Sequence, residues 1–109
     1  MKYVVRYYYC NKQYHENKKY PFWIYPKLYC SVISEEEYHT LEHSEALVCL
    51  TKKDDKHKTV KKVAFIVNVT PATRSEQSKY KDLKLVDAYE PNKDEKHAIE
   101  HFKKIKFGL

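Results

Sequence analysis

The stretch Lys61–Thr70, KKVAFIVNVT, constrains the fold most, because it concentrates β-branched and apolar residues in a chain otherwise full of lysine. In strand alternation Val63, Phe65, Val67 and Val69 share one face, while Ala64 and Ile66 make the middle of the other face apolar too. A strand apolar on both faces needs cover on both. We therefore read it as a central strand and the rest of the chain as what flanks or covers it.

Lys2–Cys10 alternates Tyr3, Val5, Tyr7 and Tyr9 against Lys2, Val4, Arg6 and Tyr8, a strand with one aromatic face. Asn11–Lys19 is polar and reads as a loop or turn. In Tyr20–Pro26, YPFWIYP, two prolines exclude a helix interior and a central strand, leaving an extended edge or a loop. Lys27–Ile33 predicts a second strand with Leu28, Cys30 and Val32 inward. Ser34 followed by Glu37 is a capping box, and Glu35–Glu37 suit the positive end of a helix dipole, so a short helix is expected over Glu35–His43, burying Tyr38 and Leu41. Ala46–Thr51 reads as a strand and Lys52–Lys58 as a hairpin turn. Pro71–Lys81 reads as a loop, Leu83–Tyr89 as a last strand, and the segment from Pro91–Asp94 onward as a helix with Ala98, Phe102, Ile105 and Leu109 in a stripe. The expectation is a single small α+β domain spanning 1–109: an antiparallel sheet of about five strands with two helices packed on one face.

Composition narrows the chemistry. The single glycine, Gly108, leaves no Gly-rich phosphate loop. Cys10, Cys30 and Cys49 form no CxxC pair and read as buried thiols, not a disulfide or zinc framework. No run approaches the roughly 20 apolar residues of a membrane span, and Met1–Cys10 is too polar for a secretory leader, so a complete, cytoplasmic gene product is expected. The net charge of +6 comes from 19 Lys and 2 Arg, and with abundant Tyr this is the usage of an AT-rich genome, as in low-GC bacteria and their phages. The charge is polarised: residues 52–62 carry six Lys against two Asp, and residues 34–47 carry five Glu and no Lys or Arg.

Four sets of residues are candidates for function. His39 with His43, and His97 with His101, have the i, i+4 spacing of metal ligands, and the second pair sits in an HxxEH string. Only eight residues follow, too few for the further ligand and cleft of a peptidase, so no metal and no cofactor is expected. A metal-independent RNA endonuclease needs a base, an acid and a cation, which His57 beside Lys56 and Lys58, or His15 beside Tyr14, would supply if they converged. The favoured segment is Lys18–Lys27, because large aromatics dominate binding hot spots: Phe22, Trp23 and Tyr25, with Tyr20, would anchor a protein partner and Lys18, Lys19 and Lys27 would steer it. The alternative place for Phe22 and Trp23 is the core of so small a domain. Lys52, Lys53, Lys56, Lys58, Lys61 and Lys62, with Tyr7 and Tyr9 on the first strand, would instead make weakly specific contacts to nucleic acid.

The sequence thus predicts a non-enzymatic binding protein, of the inhibitor kind that phages and mobile elements encode to occlude host or defence machinery. A nucleic-acid-binding module and an RNA endonuclease are the alternatives, and an exposed sheet edge would allow a homodimer.

Overall fold

The computed structural model describes residues 1–13, 22–41, 47–53 and 59–108. Its elements run β1 (Lys2–Gln13), β2 (Ile24–Ser34), α1 (Glu35–Thr40), β3 (Leu47–Lys53), β4 (Thr59–Pro71), α2 (Arg74–Lys79), β5 (Leu85–Tyr89) and α3 (Lys93–Phe107). The strands lie in the order β2-β1-β4-β3-β5, each antiparallel to its neighbour. The α+β class and the antiparallel sheet stand. The helices do not follow the expectation: among the described residues there are three, and they do not share one face.

Both faces of β4 are apolar, and both are covered. On one face Val5, Tyr7, Ile33, Ala64 and Ile66 pack with Leu41, just after α1, and with Tyr38 inside it. On the other, Tyr8, Cys10, Ile24, Val63 and Phe65 pack with Ile99 and Phe102 of α3. The alternation of β4 breaks at one point. Arg6 pairs with Asn68 but Tyr7 with Ile66, so Val67 is an extra residue. Val69 consequently packs with the Ala64 and Ile66 face rather than with Phe65 and Val67, against the simple alternation.

Two further irregularities follow in β1 and β2. Tyr8 pairs with Leu28 and Cys10 with Ile24, which leaves two extra residues of β2 around Pro26, whose missing N–H suits an edge strand. Tyr9 pairs with Ala64 and Gln13 with Lys62, which leaves two extra residues in β1. Bulges bend a strand and raise its twist. Their sum rolls the sheet: the Leu83 N–H donates to the Val32 carbonyl on the outer side of β2 at 2.9 Å, while Leu85 pairs with Leu50 of β3. Two residues of chain reach only about 7 Å, so the two flanks of the sheet come together there. The face holding Leu83, Leu85 and Ala88 is therefore the inner one.

Each helix opens with a reciprocal capping box, from Ser34 with Glu37, Thr73 with Glu76, and Asn92 with Glu95. α2 replaces the loop expected over Pro71–Lys81. It has no buried residue, and Glu76 ties it to β1 through Arg6 at 3.8 Å. In α3 Phe102 packs inward as expected, but the buried positions are Glu95 and Ile99 and Ile105 is 72% exposed, so the inward stripe runs through Glu95, Ile99 and Phe102 instead of Ala98, Phe102 and Ile105, and Leu109 lies outside the described residues. α3 ends at Gly108 in the left-handed conformation, φ 67°, which a glycine adopts without strain. No described helix is long and apolar enough to cross a membrane.

Candidate binding surface

The aromatic segment divides between core and surface. Phe22 packs against the Ile24, Phe65 and Ile99 cluster, whereas Trp23 is 48% and Tyr25 44% exposed. Ile24 between them is the residue that points into the core, so strand alternation puts its two aromatic neighbours outside. Their rings meet edge to face at 6.3 Å. The backbone beneath Trp23 is pinned twice: its N–H donates to Asn11 Oδ1 at 3.0 Å and its carbonyl accepts from the Asn11 N–H at 3.2 Å.

β2 is an outer strand, and its paired outer stretch among the described residues is the short parallel bridge of Val32 with Asp82. Leu28, expected inward, is 46% exposed on it, because the extra residues around Pro26 and the end of α3 leave its outer side uncovered. The C-terminal turn of α3 lies alongside. Lys106 Nζ donates to the Pro26 carbonyl at 3.1 Å, and Ile105 and Phe107, on either side of it, are exposed. Trp23, Tyr25 and Lys27 thus form an exposed margin on the Tyr29 side of β2, whereas Leu28, paired with Tyr8, lies with Lys106 and Phe107 on the α3 side.

Beside this margin is a pocket of about 170 Å³ lined by Tyr9, Cys10, Tyr25, Lys27, Tyr29 and Lys62. Tyr9 and Tyr29 meet edge to face at 4.9 Å, and Lys27 Nζ stands 5.0 Å from the centre of the Tyr29 ring, within cation–π range. Burial, reinforced by the neighbouring Tyr7 hydroxyl and by Tyr29, pushes the Tyr9 phenol well above its ordinary value. Tyr7 itself is buried and shares a 2.9 Å hydrogen bond with Ser31, so it presents no free ring to a ligand.

Lys52 and Lys53 fall at the end of β3 and Lys61 on β4. Lys18, Lys19, Tyr20, Lys56 and Lys58 lie outside the described residues, as do Tyr14, His15, His43 and His57. His97 and His101 are exposed on α3, His39 is exposed on α1, and among the described residues no three His, Cys, Asp or Glu are grouped to hold a metal. Cys10 is buried and Cys30 half-buried. Tyr29, which sequence reading did not single out, joins Tyr9 only through the pairing of β1 with β2. Comparison with protein families, curated proteins and solved structures finds no match to this chain.

Proposed function

We propose that this chain is a non-enzymatic protein-binding module that acts by stoichiometric occlusion, gripping an acidic partner through the outer side of β2. The observation that carries the reading is the Trp23–Tyr25 pair, exposed, in mutual contact, and fixed from below by Asn11. Large rings on a rigid backbone bury much area at little entropic cost, which is the physics of a hot spot. Lys27 beside Tyr25, with the overall +6 charge, favours a partner of opposite sign. Phe22 supports the surface from the core side.

The test compares lysate proteins captured on the wild-type chain and on the Trp23→Ala variant, the variant first shown to be folded by circular dichroism. A stoichiometric protein retained by the wild type should bind the variant weaker by at least ~2 kcal/mol, about thirty-fold. Equal capture by both would refute the assignment.

A further inference from the structure

We infer that the Tyr9–Tyr25–Tyr29 pocket is a one-base clamp for unpaired nucleotides, holding a nucleobase against the tyrosine rings with its neighbouring phosphates on Lys27 and Lys62. This site goes beyond the protein-docking reading: it shares Tyr25 with that surface, and Trp23 does not line the pocket. Three observations lead to it. The pocket is walled by three phenol rings, and its volume of about 170 Å³ is the size of one aromatic ring, since a cavity of about 150 Å³ holds benzene. Its two charged lining residues among the described ones are both lysines, from β2 and from β4, on opposite sides of β1 in the sheet. Among the described residues neither is paired to a carboxylate.

Such a lining repels cations through its two ammonium groups and carries no amide or guanidinium fork to read a base edge. It offers flat π surfaces to any planar ring and two ammonium groups to the anions attached to it. Stacking on aromatics is tolerant of sequence, and lysines contact phosphates as point charges, so the clamp selects single strands over duplexes without selecting a sequence. An acidic peptide would satisfy the lysines and leave the rings without a planar partner. A monocyclic pyrimidine fits the volume better than a purine.

The test is fluorescence anisotropy of the full chain with labelled oligo(dT), oligo(rU) and a duplex of equal length, competed by uridine monophosphate and by an oligoglutamate peptide. Single strands should bind and the duplex should not. Binding should weaken about seven-fold between 50 and 200 mM salt, the slope for two phosphate contacts on a single strand. Lys27→Ala, Lys62→Ala and Tyr25→Ala should each lower affinity roughly ten-fold. Competition by uridine monophosphate would place the recognition in the single nucleotide, and its failure would place it in the strand. The proposal is overturned if no oligonucleotide binds, if duplex and single strand bind alike, if the lysine variants bind as the wild type does, or if oligoglutamate alone occupies the site.

Discussion

The Glu37 carboxylate joins the start of α1 to the start of β5. One oxygen accepts the Ser34 N–H at 3.1 Å and the Ser34 hydroxyl at 2.9 Å, and the other accepts the Leu85 N–H at 2.6 Å. A capping residue that suits only its own helix would stabilise six residues. This one also holds the strand that brings the two flanks of the sheet together.

Glu37→Ala should therefore cost more than a capping box alone, about 2–3 kcal/mol in urea unfolding, since a hydrogen bond to a charged group adds to the cap. Glu37→Gln, with one carbonyl oxygen, can serve only one of the two sides and should fall between. A loss under about 1 kcal/mol for Glu37→Ala would show that the Leu85 contact contributes nothing.

The packing of α3 reverses the expectation for two isoleucines: Ile99, outside the expected stripe, is buried, and Ile105, within it, is exposed. Ile99→Ala empties a buried position and should cost about 2–5 kcal/mol, whereas Ile105→Ala, on an exposed side chain, should stay within about 0.5 kcal/mol. Thermal or urea denaturation of the two variants decides, and the reverse order would place the helix in a different rotation.

Alkaline pH should act through Tyr9. Its phenol is raised in the folded chain, so the neutral form is favoured by folding: the contribution is fully present below pH 10 and is lost as pH rises through the folded value. The difference between wild-type and Tyr9→Phe absorbance titrations at 295 nm should show no ionisation near pH 10, and stability should fall above it. Ionisation of Tyr9 at its ordinary value would contradict the buried cluster with Tyr7 and Tyr29.

Acid should act through Glu76. The Thr73 backbone N–H holds its carboxylate below the ordinary value, helped by the Thr73 hydroxyl, Arg6 and Lys79, against some loss from burial. The stabilisation is present above the unfolded value and disappears as pH falls through the folded one. In an NMR titration the Glu76 midpoint should lie below 4.5 and move upward in Thr73→Ala. An unchanged midpoint in that variant would mean the cap is not formed.

The legible parts of the fold were those written in local chemistry. The KKVAFIVNVT run announces a strand needing cover on both faces, and Ser34 with Glu37 announces α1. Thr73 with Glu76 carries the same signature, but α2 is six residues long and buries nothing, so no apolar periodicity accompanies it. The stripe of α3 keeps Phe102 but runs through Ile99 and Glu95, because Glu95, a capping residue, is itself buried and takes a place that hydropathy gives to an apolar side chain. Val69 changes face because Val67 is a bulge, which side-chain alternation cannot register. The binding surface was half legible for the same reason. Composition marks Trp23 and Tyr25, but the meeting of Tyr9, Tyr29 and Lys62 depends on strand order and on the irregularity at Pro26.

The most direct measurement of the central claim uses the chain's one tryptophan, Trp23, as its own reporter. The account predicts solvent-exposed emission that acrylamide quenches readily in the free protein, shifting to the blue and becoming protected when the captured partner is added. Blue, unquenchable emission in the free protein would place the ring in the core, and an exposed ring unaffected by a saturating partner would place the docking surface elsewhere.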